Sequence, residues 1–549
     1  MATSPQRAYR ATCPNCGAPV ELASAASASA VCSFCRSTLV RDGAALRRIG
    51  TSAELFDDHS PLQMGASGQR QGLAFTLVGR LQYRYDGGTW NEWHALFDAA
   101  LDADAPRSAW LSEDNGAYVL AFDAPLPADA PADEAALAAL RAGQRVLAEG
   151  RAWDVASVVR AKLLAAQGEL PRAPRLELEF VVADLRNSAG EVATLDSLGG
   201  LDSGSGAPRA SLNWSVGRAV TLAELRISGL KDSSEKTLGG RSLSCPSCGN
   251  ALEVKLATTQ SLSCGQCAAV VDISAGIGAE LKHYAQNNAG EAGAEPLIAL
   301  GSSGKLALGS TGAEPPTWQV VGYQERCDIP DDAEEDTTFW REYLLFNRQL
   351  GFAFLVDSNE GWSWVKPLTG APTVRGDKAQ WQGQSYSQRF SYGARVTWVQ
   401  GEFYWRVQRD ERARVTDYEG SGAARGARLS REQTANEVTW SAGHTLEASV
   451  VADAFGIAPG ARAALQRDTA PLSSAGVKKS FKVGLIVIAV VIALVLLTQC
   501  SGNDCDDVRS TFGASSAEYQ QCQRNASSGG VRTGGGSFGG RTSGGGDHK

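Results

Sequence analysis

The sequence predicts a mainly β protein. Two zinc ribbons alternate with two antiparallel β-sandwich- or barrel-like domains, followed by one transmembrane helix and a disordered Gly-rich tail. Three observations predict this. A four-cysteine pattern occurs twice, a longer repeat follows each copy, and both repeats consist of short strand patterns bounded by turns.

The first copy is Cys13-Pro14-Asn15-Cys16 followed after fifteen residues by Cys32-Ser33-Phe34-Cys35. The second is Cys245-Pro246-Ser247-Cys248 followed after fifteen by Cys264-Gly265-Gln266-Cys267. Both read C-P-x-C-G-x14-C-x2-C, offset by 232 positions. Paired C-x2-C knuckles at this separation supply four thiolates for one tetrahedral Zn²⁺, the ligand set of a structural ribbon. Two structural zinc ions are therefore expected, one on Cys13, Cys16, Cys32 and Cys35 and one on Cys245, Cys248, Cys264 and Cys267. Gly17 and Gly249, just after the knuckles, suit a turn that faces backbone N–H groups to the sulfurs.

The repeat extends well past the cysteines. Pro61–Gly68 parallels Pro296–Gly304, and Phe75–Gly79 parallels Trp318–Gly322. Trp90-Asn91-Glu92-Trp93 matches Trp340-Arg341-Glu342-Tyr343, and Gln167–Leu170 matches Gln400–Phe403. Asn213–Gly217 matches Thr439–Gly443. Order is kept while spacings drift, as loops vary more than strands. The expected layout is ribbon 1 over 1–50, β-domain 1 over 60–230, ribbon 2 over 242–275 and β-domain 2 over 290–455. A linker over 456–482, a membrane span over 483–500 and a tail over 501–549 complete it.

A chain of 549 residues exceeds any single core. Its net charge of −8 argues against a nucleic-acid binder held by bulk electrostatics. Residues 1–50 carry six arginines against two acids, which keeps nucleic acid in view for the first ribbon alone. Eight of the twelve cysteines belong to the ribbons, and thiolate zinc sites need a reducing compartment, so the body is expected in the cytosol. Residues 1–10 are polar and no apolar signal-peptide core follows.

Within the first β-domain, Ala74–Tyr85 and Leu176–Val182 read as strands. Asn115-Gly116 reads as a hairpin turn, and Asp133–Arg141 as one or two helical turns. In the second, Phe352–Val356 and Trp362–Val365 flank a turn at Asn359–Gly361, and Arg395–Gln408 reads as two strands around Gly401-Glu402. Such spacing fits a sandwich or a barrel equally. Ala458–Gly476, rich in Ala, Pro and Ser, reads as a flexible tether.

Val483–Thr498, extended by Gln499 and Cys500, is an uncharged apolar run spanning roughly 27 Å as a helix, enough for a bilayer core. Lys478, Lys479 and Lys482 precede it and Asp504, Asp506 and Asp507 follow, so the positive-inside rule places the N-terminal body in the cytoplasm and the tail outside. In the tail, Cys505 and Cys522 can pair, and from Gly529 onward ten of twenty-one residues are glycine, too little apolar surface to order itself.

No catalytic constellation stands out. The five histidines are scattered, with no HExxH, phosphate loop, nucleophile elbow or dinucleotide fingerprint. Cys327 reads as a small buried residue. The one candidate binding element is the repeated W-x-E-aromatic: Trp90, Glu92 and Trp93, and Trp340, Glu342 and Tyr343. On a strand the Trp and Glu share one face and the second aromatic takes the other. An aromatic beside a carboxylate can hold an organic cation, and it can equally be a core tryptophan with an arginine-paired glutamate.

The opening [LI]-x-x-G-x-x-G, the V-x-G strand, W-x-E-[YW] and G-E-[LF] together resemble domain-of-unknown-function family 4178, in two copies. The resemblance implies a bacterial protein of no established activity, often ribbon-linked and membrane-anchored, found near polyamine-synthase-like proteins in envelope-stress settings. The functional expectation is a non-enzymatic adaptor at the inner membrane that binds a protein partner or a small cationic ligand. The alternatives are an enzyme or sensor acting on polyamine-like ligands, and a membrane-tethered nucleic-acid binder.

Overall fold

Strands apolar on both faces need cover on both sides, and a sheet that closes on itself supplies one of them. Each repeat closes in this way. The computed structural model describes residues 9–466 except 23–28, 43–44, 52–59, 86–87, 99–107, 115–116, 177, 199–211, 232–242, 255–258, 274–281, 285, 287–295, 311–313, 331–336, 348–349 and 408–410.

Around the first barrel the strands run Leu73–Tyr85, Gly88–Phe97, Ser108–Asp114, Ala117–Ala124, Asn213–Val220, Glu191–Asp196, Glu179–Arg186 and Arg151–Leu170. Each is antiparallel to the next, and the last pairs back onto the first. The second barrel repeats this order with Thr317–Ile329, Phe339–Asn347, Gly351–Ser358, Gly361–Pro367, Val438–Leu446, Ala427–Gln433, Arg412–Gly420 and Gln384–Phe403, closed in the same place. The choice between sandwich and barrel thus falls on the barrel, twice.

Strand parity sets what faces in. Arg326 reaches Glu432 on a strand that is not its hydrogen-bonded neighbour, and Tyr83 meets Phe180 in the same manner, so these side chains point inward. The outward faces are apolar too and are covered by flanking segments. Leu62, Ala66 and Leu225 lie over Trp93, Leu111 and Leu120. Leu137, from the short helix Glu134–Ala138 capped by Asp133, lies over Trp153 and Trp214. In the second barrel Val451, Ala452 and Leu465 cover Trp318, Tyr343 and Trp362.

Three expectations need correction. Arg395–Gln408 is not two strands around a turn: Gln384–Phe403 is one strand of 20 residues, matched by Arg151–Leu170 in the first repeat. Gly168 and Gly401, at φ +71° and +86°, lie opposite Gly79 and Gly322 at the closing seam, where a Cβ on either would strike the backbone of the partner strand. Glycine there permits close approach rather than chain reversal. The strand expected over Leu176–Val182 begins at Glu179 and runs to Arg186, after a segment broken by Pro171 and Pro174. The tether expected from Ala458 starts instead with a 3-10 helix, Pro459–Leu465, because Leu465 is buried and its carbonyl accepts the Trp362 indole N–H at 2.9 Å.

The barrels touch each other. Asn436 O accepts from Val158 N, Asn187 O from Ala371 N and Ala142 O from Gln433 Nε2, and Ala142 joins a cluster with Tyr418, Val438 and Trp440. Among the described residues no helix is long and apolar enough to cross a membrane. The expected span 483–500, its flanking charges and the tail with Cys505 and Cys522 lie outside the described residues.

Candidate metal centres and buried polar clusters

Each ribbon carries its cysteines on two tight turns. Gly17 N donates to Cys13 O and Arg36 N to Cys32 O, and Gly249 and Ala268 repeat the pattern on Cys245 and Cys264. The expected left-handed glycines are present, at φ +77° for Gly17 and +75° for Gly249. Arg36 and Ala268 take the same conformation without being glycine, at +57° and +56°.

These turns bring the sulfurs together. Cys13–Cys35 and Cys16–Cys32 lie 3.6 and 3.8 Å apart, and Cys245–Cys267 and Cys248–Cys264 3.8 and 3.7 Å. Within each set all four lie within 4.8 Å of one another. A disulfide needs about 2.05 Å, whereas a tetrahedral ion with bonds of about 2.3 Å has edges of about 3.8 Å. The spacing is that of a shared metal. Full ionisation of four sulfurs this close requires a cation among them. The Cys35 thiol is pulled down to about 5, first by hydrogen bonding with the Ser37 side chain and then with Asn15. Cys267 is pulled down to about 6, led by the Ala269 backbone N–H. Cys16 and Cys248 are pushed the other way, up to about 12, where the pull of the Ala18 and Asn250 backbone is outweighed by hydrogen bonds to the neighbouring sulfurs and by burial. Both four-cysteine clusters can hold a metal ion, and the donor set is consistent with zinc.

The ribbons are built into the barrels. Ser29–Val31 pairs with Gly168–Leu170, and Ser261–Ser263 pairs with Glu402 and Phe403 just past the seam glycine. Ser29 Oγ donates to Arg172 O at 2.8 Å, and Ser261 Oγ to Trp405 O at 2.8 Å. Thr259 Oγ1 donates to Glu402 Oε2 at 2.5 Å. The G-E element is thus where a barrel strand leaves its closing partner and takes up a ribbon strand.

The W-x-E-aromatic elements fall where parity puts them. Trp90 and Glu92 face the first interior, Trp340 and Glu342 the second, and Trp93 and Tyr343 the outward cores. Trp93 Nε1 donates to Glu113 at 3.1 Å, and the Tyr343 hydroxyl accepts from Leu297 N at 3.1 Å. In the second barrel the cation beside the tryptophan is internal. Arg326, fully buried, forks onto Glu432 at 2.8 and 3.0 Å, reaches Glu342 at 3.4 Å and lies 5.6 Å from the Trp340 ring centre. Glu342 also accepts from Trp340 Nε1 at 2.7 Å and Gln324 Nε2 at 2.6 Å. Burial pushes the Glu342 carboxyl up, against the pull of Arg326. Arg326 is held above its ordinary value: burial opposes its charge, and Glu432 and Glu342 overcome that. Arg326 and Glu432 carried no sequence motif. They join this element only through the closed barrel.

The first barrel differs. Register places Tyr83 opposite Trp90 as Arg326 is opposite Trp340, and Asp196 opposite Asn213 as Glu432 is opposite Thr439. Tyr83 stacks on Trp90 with ring centres 4.9 Å apart. Trp90 Nε1 donates to Glu92 at 3.4 Å, while Asp196 accepts from Asn213 and Leu198 N. Glu92 and Asp196 both line one small cavity, with Tyr83, Trp90, Phe180 and Thr194.

His94 is buried, with Nδ1 2.9 Å from Glu169 O and Nε2 2.9 Å from Ser108 Oγ. The carbonyl requires a proton on Nδ1, so the serine donates to Nε2 in the neutral ring. Burial lowers the His94 pKa below its ordinary value. Because the folded value is depressed, this histidine's contribution is fully present above about 6.5 and is lost as pH falls through the folded value. Denaturant unfolding from pH 7.5 to 5.5 is expected to show the wild type losing stability relative to His94→Gln, by at most about 1.4 kcal/mol over that range. Parallel pH profiles for the two proteins would contradict this.

Fold and sites together define a tandem of closed β-barrels, each carrying a four-cysteine ribbon on its closing strand. The family model described as Domain of unknown function (DUF4178) matches residues 63–221 and 314–448, and the chain belongs to this family. The two matches fall on the two barrels. No curated protein and no solved structure matches the chain.

Proposed function

We propose that this is a non-enzymatic adaptor, anchored by residues 483–500 in a bacterial inner membrane, with the ribbon–barrel body on the cytoplasmic side and the tail outside. Zinc is structural: four protein thiolates leave no open position for a substrate. The body presents a docking surface to a protein partner.

The observation that carries this reading is Phe34. It sits between two ligands of the first centre and is 71% exposed, the most exposed large apolar side chain among the described residues. Gln266 takes its place on the second ribbon. An aromatic held out on a metal-fixed turn costs little entropy to bury and is the usual kind of interface anchor. Crosslinking in membranes, followed by mass spectrometry of wild type and Phe34→Ala, tests it. A defined partner recovered with wild type and lost with the variant supports the adaptor. Identical sets from both contradict it. The alternative of a nucleic-acid binder is separated by a salt-dependent gel shift of the full chain, since phosphate contacts weaken steeply with salt.

A further inference from the structure

The two barrels differ at the start of their 20-residue strands. In both, a short strand joins there through a two-residue turn at positive φ. Glu149 and Gly150 link Arg145–Ala148 to Arg151–Leu170, and Gln382 and Gly383 link Lys378–Trp381 to Gln384–Phe403. In the second barrel a further strand, Thr373–Arg375, lines the outer edge, with Thr373 opposite Gln380 and Arg375 opposite Lys378. In the first, Arg145–Ala148 pairs with Arg151–Leu170 and with no other strand among the described residues. The chain ahead of it forms the helix Glu134–Ala138 instead, over Trp153 and Trp214.

Turn geometry says which groups the open edge presents. Residues flanking a two-residue turn form a hydrogen-bonded pair, and alternate residues direct their N–H and C=O away from that partner strand. Ala148 and Arg151 flank this turn, so Arg145 and Leu147 turn their N–H and C=O outward. Lys378 and Gln380 hold the same places in the second barrel, where Thr373–Arg375 takes them up. Leu147 is also 64% exposed, a large apolar side chain at the middle of an unpaired edge.

We propose that the Arg145–Ala148 edge accepts one extended strand of a protein partner, antiparallel and in the register that Thr373–Arg375 takes on the second barrel. Main-chain hydrogen bonds to Arg145 and Leu147 supply the attachment, and side chains select the sequence. The guest residue across from Leu147 is apolar. The next is β-branched and lies beside Val146 toward the core, as Val374 lies beside Ala379. The chain's own second barrel is the template for the occupant, since an extended segment already fills the equivalent edge there. This names how the partner of the adaptor reading is held, and rests on that reading for the partner's existence.

Hydrogen exchange of the full chain, read by mass spectrometry over residues 145–148, tests it with a capped peptide of residues 371–377 carrying Thr373→Val. A matched peptide, N-methylated at the Arg375 position, cannot donate its edge hydrogen bond. The first peptide is expected to slow exchange at the edge by about tenfold once its free concentration is about ten times its Kd, and the N-methylated one to leave exchange unchanged. Leu147→Pro removes an outward N–H that the barrel does not use, a change that edge strands tolerate, and should abolish the response. If that variant fails to fold, the pair of peptides on the wild type still decides. No slowing at millimolar peptide, equal slowing by both peptides, or a response that survives Leu147→Pro would overturn the proposal. So would edge protection that grows with the concentration of the chain alone, which is pairing between two copies. Because the peptide is supplied, these results stand whether or not Phe34→Ala loses a partner.

Discussion

Replacing Arg326 by methionine is expected to destabilise the second barrel by about 3–5 kcal/mol. The guanidinium and both carboxylates it holds are buried. Removing it leaves Glu342 and Glu432 facing each other in the interior, where an unpaired charge costs far more than the pair contributes. The sign with pH follows from Glu342. Its folded pKa is already raised, and loss of Arg326 raises it further. The variant therefore recovers part of its stability below the unfolded carboxylate value, near 4.3, and loses it as pH rises through the folded value. Adding Glu342→Gln and Glu432→Gln should restore much of the loss and remove that slope. Guanidinium unfolding across pH 5–8 checks both points. A loss under about 1 kcal/mol is the behaviour of a solvated pair and would contradict the buried triad.

The second large effect is expected from Cys245→Ser with Cys248→Ser. Metal content should fall from two ions per chain to one, because each set of four sulfurs is a separate centre. The damage should reach past the ribbon. Ser261–Ser263 pairs with the barrel at Glu402 and Phe403, and Ser261 Oγ meets Trp405 O. Losing that strand exposes an edge beside Phe403, Tyr404 and Trp405, all buried in the intact protein. Limited proteolysis should cut first between 243 and 273, with lowered protection of the backbone at Phe403. Protection unchanged at Phe403 would show that the ribbon does not support the barrel.

The two four-cysteine clusters were legible in the sequence, since metal-ligand chemistry fixes their spacing and Gly17 and Gly249 mark their turns. Arg36 and Ala268 were not legible as turn residues, because their left-handed backbone is imposed by the knuckle and not by their side chains. The Trp–Glu element was legible as a shared face, because alternation is local. Its partner Glu432 lies 106 residues beyond Arg326 and meets it only once the barrel closes. Closure itself was hidden. It rests on Gly79–Gly168 and Gly322–Gly401, whose glycines look like turns in one dimension and serve as close approaches in three. Composition misled at Pro459–Leu465, where a Pro/Ala stretch carries one leucine that the second barrel buries.

The most direct measurement is the zinc-to-protein ratio of the full-length chain purified under reducing conditions, with thiols titrated before and after chelation. Two structural ribbons predict two zinc ions per chain and eight cysteines protected until the metal is withdrawn, with unfolding of both ribbons on withdrawal. A metal-free chain whose ribbons remain folded and protease-resistant would contradict the metal-stapled architecture.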